Sequence, residues 1–156
     1  MKLMTLCYIQ DLNTNKTLML HRVKKENDIH EGKWNGVGGK FEAGESPEDC
    51  VIREVKEETG LNIISPSLKG IITFPKFGKQ NEDYYVFVFT AKEFTGELID
   101  DCPEGNLEWV DSDKLLDLNL WDGDKYFIPL LNKLGMFSAK IYYENDVVVE
   151  KEIIEY

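Results

Sequence analysis

Residues 39–61 read GKFEAGESPEDCVIREVKEETGL, and they contain the clearest helix signal in the chain. Ser46 is a favourable N-cap residue, Pro47 suits the first helical position, and Asp49 stands where a capping box needs a carboxylate. Gly60 is the residue type that commonly follows a helix. We therefore predict a helix that begins after Ser46 and ends before Gly60, with a glycine-rich loop in front of it.

Three carboxylates of this helix share one face. Glu54, Glu57 and Glu58 are spaced i, i+3 and i+4, so their side chains can converge on one point. Like charges so close repel one another unless a cation lies among them, and Mg²⁺ prefers oxygen ligands and bridges to substrate phosphates. Glu45, at the helix entrance, can add a fourth carboxylate. The residues alone also allow a solvated acidic face with Arg53 as a local ion-pair partner.

Composition limits the class of protein. The chain has 156 residues and a formal net charge of −11, which is typical of one acidic globular domain. Such a surface repels duplex nucleic acid and anionic membranes, so a small-molecule substrate is favoured over either partner. We find no apolar run of membrane-spanning length and no convincing signal peptide. Three cysteines at unpatterned spacings predict buried thiols in a reducing cytosol.

The rest of the chain alternates strand and helix signals. Strands are predicted at residues 2–10, 16–23, 68–74, 84–91 and 107–110, a short helix at 111–116, a second long helix at 124–134, and a terminal hairpin that turns at 144–146. Strands interleaved with helices predict a single α/β or α+β domain over residues 1–156, with a mixed sheet.

The helix and its flanks match the pattern G-x5-E-x7-R-E-U-x-E-E-x-G-U, where U is aliphatic. The matching positions are Gly39, Glu45, Arg53, Glu54, Val55, Glu57, Glu58, Gly60 and Leu61. A chance match at one start position has a probability of about one in 10⁸, given average residue usage. The chain therefore resembles the Nudix hydrolases, and the resemblance implies an α/β/α sandwich around a mixed β-sheet.

This resemblance also implies a metal site. Nudix hydrolases cleave a nucleoside diphosphate linked to another group, and they use Mg²⁺ or Mn²⁺. By position, Glu54, Glu57 and Glu58 are the expected metal ligands, and Arg53 is expected to orient them. The carbonyl of Gly38 or Gly39 is the expected backbone ligand, and backbone amides of the same loop can contact phosphate. One glutamate is expected to take the proton from the attacking water, but the sequence does not identify which one.

Three further stretches resemble the MutT/MutX-type oxidised purine nucleoside triphosphatases: WNGVGGK at 34–40, LWDGDKYFIPLL at 120–131 and the closing strand pair. By this resemblance Asn35 hydrogen-bonds the purine edge, Trp121 packs on the base and Asp124 reads the base edge. Each also has a simpler interpretation: a turn asparagine, a core indole, and a first-turn or N-cap acid.

Other positions carry weaker expectations. Glu104 corresponds to a loop glutamate that joins the metal cluster or acts as the base, although it can also be simple surface charge. Lys25 is expected near sugar or phosphate, and Ile29 is expected as an apolar pocket wall. Aromatic and proline residues that could line the base pocket are Phe74, Pro75 and Phe77.

One position departs from the pattern. The animal enzymes have two adjacent aspartates here, whereas this chain reads Asp122-Gly123-Asp124, with Gly123 at the first of the two positions. The departure leaves open whether oxidised adenine is accepted as well as oxidised guanine.

Together these observations predict a cytoplasmic Mg²⁺-dependent nucleoside triphosphate pyrophosphohydrolase that acts on an oxidised purine nucleotide such as 8-oxo-dGTP. Two alternatives remain at this level. One is a Nudix hydrolase of another substrate, such as ADP-ribose, a dinucleoside polyphosphate or an unmodified dNTP. The other is a non-catalytic nucleotide-binding module. The sequence predicts no oligomeric state.

Overall fold

A computed structural model describes residues 1–24 and 29–156. In chain order the elements are β1 (Lys2–Asp11), β2 (Lys16–His21), β3 (Trp34–Asn35), α1 (Pro47–Thr59), β4 (Asn62–Ile64), β5 (Ser67–Phe77), β6 (Glu82–Ala91), β7 (Glu93–Thr95), β8 (Asn106–Asp111), α2 (Asp124–Phe127), β9 (Phe137–Glu144) and β10 (Val147–Glu155), with 3₁₀ turns at Ser112–Asp117 and Ile128–Leu130. None of the helices in these ranges has the length and apolar character needed to cross a membrane.

The described strands form a large mixed sheet in the order β10-β9-β5-β6-β1-β2-β3, and β8 also pairs with β2. The β1–β6 and β5–β9 pairs are parallel, while the neighbouring pairs are antiparallel. A separate two-stranded sheet joins β4 to β7. This topology brings the C-terminal hairpin beside β5, and it places β1 in the middle of the sheet.

Successive side chains of β1 point into two different apolar layers, as the period of a strand requires. Cys7 and Ile9 pack into a layer with Val51 and Val55 of α1. Tyr8, between them in sequence, packs into the opposite layer. That second layer includes Phe127, Ile128, Leu131, Phe137 and Ile141. The sheet is therefore covered on both faces, which confirms the predicted sandwich around a mixed sheet.

Helix α1 begins and ends at the predicted residues. The Ser46 side chain accepts a hydrogen bond from Asp49 N–H, and the Asp49 side chain accepts one from Ser46 N–H, so the capping box is complete. Gly60 follows the helix with φ of 82°, a left-handed conformation that favours glycine, and its N–H donates to the Lys56 carbonyl. These caps fix where the acidic face of α1 stands relative to the loop before it.

The second long helix predicted for residues 124–134 is wrong. The α-helix covers only Asp124–Phe127, and a 3₁₀ turn at Ile128–Leu130 follows it. Pro129 accounts for the interruption, because proline has no N–H to donate to the preceding turn and its ring crowds the carbonyl of that turn. The apolar residues of this segment still reach the core, since Phe127, Ile128 and Leu131 are all buried.

The predicted terminal hairpin and buried cysteines are confirmed, and the structure adds three short strands. The terminal hairpin forms, and both Asn145 and Asp146 at its turn have positive φ. Cys7, Cys50 and Cys102 are buried free thiols, as predicted. The short strands β3, β4 and β7 were not predicted, because two or three residues are too few to show a period.

Candidate active site

The acidic face of α1 is turned toward the glycine-rich loop. Glu54 packs so closely on Gly39 that a Cβ atom there would lie 2.5 Å from Glu54 Oε2, so a larger residue at this position would displace the Glu54 carboxylate. Glu58 Oε2 accepts a hydrogen bond from Gly38 N–H at 3.2 Å. The Glu57 side chain is 58% exposed and stands at the rim. Two of the three carboxylates thus face the loop directly, and the third borders it.

Arg53 ties this loop to the helix. Its Nη2 donates to the Lys40 carbonyl and to Glu45 Oε2, both at 2.9 Å, and its Nε donates to Glu45 Oε1. Its Nη1 donates to Glu54 Oε1 at 2.9 Å and to Glu57 Oε2 at 3.3 Å. The hydrogen bonds from Arg53 are the main reason why the pKa of Glu45 falls to about 2. Glu45 is therefore engaged with Arg53, which holds the orientation of the neighbouring carboxylates.

Glu58 is partly buried beside two other carboxylates. Its pKa is raised to about 8, chiefly by burial and also by the nearby carboxylates of Glu54 and Glu104, while the Gly38 N–H and Arg22 act in the opposite direction. Glu104 Oε2 pairs with Arg22 Nη2 at 3.1 Å. The structure thus brings Glu104 to the helix carboxylates, as the sequence analysis expected, and it adds Arg22 beside them.

These oxygens are suited to a hard divalent cation, which would offset the crowding of carboxylates around Glu58. Across residues 1–24 and 29–156, no three His, Cys, Asp or Glu side chains already converge as a ready-made metal cage. Of the two backbone candidates, the Gly39 carbonyl accepts from Thr5 N–H at 2.8 Å, which leaves Gly38 as the stronger candidate ligand.

A cavity of about 140 Å³ adjoins this acidic cluster. Its lining includes Thr5, Arg22 and Gly38, together with residues from β3, β5, β6, β9 and the segment around the start of α2. The latter residues include Asn35, Phe74, Phe77, Trp121, Asp124 and Tyr143. The three expected base contacts, Asn35, Trp121 and Asp124, therefore line one cavity, and Gly38, which binds Glu58, lines it too.

Asn35 lines this cavity, and its Nδ2 is buried without a hydrogen-bond partner among the described residues. A buried donor without an acceptor costs free energy, about 1–3 kcal/mol. An acceptor atom of a ligand in the cavity could accept a hydrogen bond from Asn35 Nδ2. A role in shaping the turn alone would leave this donor unexplained.

Trp121 forms one wall of the cavity and is only 7% exposed. Its Nε1 donates to His30 Nδ1 at 2.6 Å, and its ring meets those of Phe77 and Tyr143 edge-on, at 5.4 and 5.6 Å between centroids. These contacts fix the plane of the indole. Trp121 is therefore both a packed residue and a rigid surface against which a planar ring can lie.

Asp124 is buried at the first turn of α2 and is 8% exposed. Burial raises the pKa of its carboxyl to about 7, although Lys33 and the Trp121 backbone lower it. The N-cap of α2 is Gly123, so Asp124 does not cap the helix. A carboxyl with this pKa can either accept or donate a hydrogen bond near neutral pH.

Of the remaining residues expected near the pocket, some line the cavity and others do not. Phe74 and Phe77 line the cavity, whereas Pro75 is not among its lining residues. Ile29 is 37% exposed and lines not this cavity but a second depression, which Trp121 also borders. Lys25 lies outside the described residues.

Sequence reasoning missed Arg22 and Tyr143. Arg22 immediately follows β2, and a basic residue at the end of a strand gives no local signal of its position. Tyr143 lies on β9, and only the parallel pairing of β9 with β5 brings it to Phe74 and Phe77. The alternation of the terminal hairpin could identify the face of Tyr143, but not its neighbours.

Comparison with known proteins gives consistent results. A family model described as the NUDIX domain matches residues 4–131. A Nudix hydrolase of Bacillus subtilis is 37% identical over 131 residues, covering 83% of this chain and 78% of the relative. A protein of Danio rerio named oxidized purine nucleoside triphosphate hydrolase is 33% identical over 132 residues, covering 84% and 83% of the two chains.

Among solved structures, the crystal structure of a MutT protein from Bacillus halodurans is similar over nearly the whole chain. Its TM-score is 0.85 at 32% identity, and the match covers 98% of this chain and 97% of that one. The similarity therefore includes the terminal hairpin that carries Tyr143.

The buried carboxyl of Asp124 predicts a pH-dependent stability. Because its folded pKa of about 7 lies above the value of ~3.9 in an unfolded chain, the native state keeps a proton that the unfolded state loses. The contribution of the protonated Asp124 carboxyl to stability is fully present below its pKa in the unfolded state. It is lost as the pH rises through its pKa in the folded state. We expect the free energy of unfolding of the wild type, relative to Asp124→Asn, to fall by about 2 kcal/mol between pH 5 and pH 8.

Urea unfolding of both proteins at the two pH values measures this difference. The comparison with the Asn variant cancels the other titrating groups, including Glu58. A difference between the two proteins that stays the same at pH 5 and pH 8 would contradict the burial of a raised-pKa carboxyl at this position.

Proposed function

Because the chain belongs to the Nudix family, we propose that it is a Mg²⁺-dependent pyrophosphohydrolase of oxidised purine nucleoside triphosphates. The family's hydrolases act on phosphoric anhydride bonds of nucleotide derivatives, and the finer proposal concerns the substrate. We propose 8-oxo-dGTP or a closely similar nucleotide, which the enzyme converts to the monophosphate and pyrophosphate. In the cytoplasm this reaction would remove oxidised nucleotides from the nucleotide pool and so limit their mutagenic incorporation into DNA.

The observation that carries this proposal is the unpartnered Asn35 Nδ2 in a cavity that it shares with Trp121 and Asp124. The amide group can donate to one edge atom of a purine and accept from another. The indole offers a stacking surface, and the Asp124 carboxyl can accept from ring and amino N–H groups. The name of the zebrafish relative is consistent with such a substrate.

Mg²⁺ fits the oxygen donors beside the cavity. The proposed ligands are Glu54, Glu57, Glu58, Glu104 and the Gly38 carbonyl. When bound, the cation supplies positive charge to the anhydride oxygens and lowers the pKa of a coordinated water. Mn²⁺ has similar ligand preferences and is a possible replacement.

The chain's own residues then have separate tasks. Arg53 keeps Glu54 and Glu57 oriented through its hydrogen bonds. One glutamate of the cluster takes the proton of the attacking water. Arg22 lines the cavity near Gly38, so it is a candidate to contact phosphate oxygens. With the base held at Asn35, the triphosphate extends toward the carboxylates.

The substrate assignment is tested by pyrophosphate release with Mg²⁺ from 8-oxo-dGTP, dGTP, dATP, 2-oxo-dATP, ADP-ribose and a dinucleoside tetraphosphate. We expect kcat/KM for 8-oxo-dGTP to exceed that for dGTP at least ~10-fold, which corresponds to ~1.4 kcal/mol. In Asn35→Ala this ratio should decrease, because the amide then no longer contacts the base edge.

Two results would count against this proposal. Equal kcat/KM for all the nucleotides, or a preference for ADP-ribose, would exclude the oxidised-purine assignment while the Nudix chemistry stands. An equal loss on both bases in Asn35→Ala would make Asn35 a residue that shapes the loop rather than a base contact.

The metal assignment is tested by Glu57→Gln, which removes an exposed carboxylate with little effect on packing. We expect kcat to fall at least ~100-fold, because the amide is a poorer ligand and cannot act as a base. The matched control is Glu48→Gln, at an exposed position in the first turn of the same helix. Both variants should unfold within about 2 °C of the wild type, since surface substitutions usually change stability little.

Steady-state kinetics with saturating Mg²⁺ and thermal unfolding measure these effects. Full activity in Glu57→Gln would contradict its assignment as a metal ligand.

A further inference from the structure

Gly123 is a glycine for reasons of space. Its φ of −75° and ψ of −22° are ordinary helical values that any residue can adopt. A Cβ atom on Gly123, however, would lie 2.6 Å from Tyr143 Oη and 3.3 Å from Tyr143 Cζ. The hydroxyl of Tyr143 therefore occupies the volume into which a side chain at position 123 would project.

The Tyr143 hydroxyl is held in one orientation. Gly123 N–H donates to Tyr143 Oη at 2.5 Å. The ring is fixed edge-on by Phe77 at 5.4 Å and Trp121 at 5.6 Å between centroids. Because a phenol carries one proton and its acceptor position is used by Gly123, the interaction left to it is donation. Burial, and then the Asp124 charge, raise the pKa of Tyr143, so the hydroxyl keeps its proton.

Asp122, the other aspartate of this segment, is engaged elsewhere. Its Oδ2 accepts from Val148 N–H at 2.8 Å, and its Oδ1 accepts from Lys125 Nζ at 2.7 Å. Of the two aspartates in residues 122–124, Asp124 alone lines the cavity. Asp124 and Tyr143 thus line the same cavity, the first with a carboxyl group and the second with a hydroxyl group that Gly123 holds in place.

We propose that Tyr143 determines base specificity by donating a hydrogen bond to the base, so that the pocket selects purines with a carbonyl rather than an amino group at C6. This inference rests on the proposed function. A carboxyl at position 123 could donate or accept according to its protonation, whereas the Tyr143 hydroxyl only donates to the ligand.

The selectivity follows from the order of groups along the purine edge. In a guanine-type base, N1–H and the 2-amino group donate, and they suit the Asp124 carboxylate, while the neighbouring O6 accepts. In an adenine-type base the 6-amino group stands where O6 would be, and it would bring a donor against the Tyr143 hydroxyl. A buried pair of donors with no acceptor is unfavourable, so the adenine-type base binds less well.

The inference is tested with Tyr143→Phe on 8-oxo-dGTP and 8-oxo-dATP. We expect the wild type to prefer 8-oxo-dGTP at least ~10-fold in kcat/KM, as removal of a matched polar contact usually changes specificity by this order or more. In Tyr143→Phe the preference should fall ~10-fold through a higher KM for 8-oxo-dGTP, with kcat nearly unchanged. The matched control is Tyr142→Phe, on the opposite face of β9, which should keep the wild-type preference.

A second measurement tests the geometry without activity. Gly123→Ala should lower the thermal unfolding temperature in the wild-type background, because the new methyl group meets Tyr143 Oη. In a Tyr143→Phe background, where that oxygen is absent, the same substitution should lower the unfolding temperature much less. Equal effects of Gly123→Ala in both backgrounds would overturn the proposed crowding.

The outcomes separate the inference from the function on which it rests. If the wild type hydrolyses 8-oxo-dGTP but Tyr143→Phe loses activity equally on both bases, or keeps the preference, the inference is overturned and the proposed function stands. If the wild type hydrolyses neither oxidised purine nucleotide, the proposed function itself is overturned, and the base selectivity with it.

Discussion

The repulsion among the carboxylates of Glu54, Glu58 and Glu104 is the constraint on which the rest of the site depends. Burial, together with the charges of the two other acids, raises the pKa of Glu58 to about 8, although the hydrogen bond from Gly38 N–H opposes this rise. Such an arrangement lowers stability unless other parts of the fold hold it in place. The capping box and Gly60 hold α1, and Arg53 holds the loop. A cation bound during catalysis would offset this loss of stability, because its positive charge reduces the repulsion among the carboxylates.

The second feature of the site is that its two halves come from distant parts of the chain. The glycine loop and α1 supply most of the acidic cluster, while β1, β5, β6, β9 and the residues around the start of α2 supply the apolar walls of the cavity. The central strand β1 connects them, because Thr5 N–H binds the Gly39 carbonyl and Thr5 also lines the cavity. A rigid sheet between the two halves can set the distance from a bound base to its phosphates.

The sequence predicted those parts of the molecule that local interactions determine. The capping residues of α1, the turn of the terminal hairpin and the spacing of Glu54, Glu57 and Glu58 are encoded within a few residues. The prediction of a helix at 124–134 was wrong because it relied on the apolar spacing of this segment and gave too little weight to Pro129, which interrupts the helix. Tyr143 and Arg22 were missed because their positions depend on strand pairing across the chain, as does the space that Tyr143 takes from Gly123. Asn35 was recognised by resemblance, but its unpartnered donor is visible only in the folded structure.

The most direct test of this account is the dependence of the thermal unfolding temperature on Mg²⁺ concentration, for the wild type and for Glu58→Gln. A ligand that binds only the native state stabilises it by mass action. We predict that Mg²⁺ raises the unfolding temperature of the wild type and leaves that of Glu58→Gln nearly unchanged. Without Mg²⁺ the variant should be at least as stable as the wild type, since it lacks the crowded charge. An equal rise in both proteins, or none in the wild type, would contradict a cation site centred on Glu58.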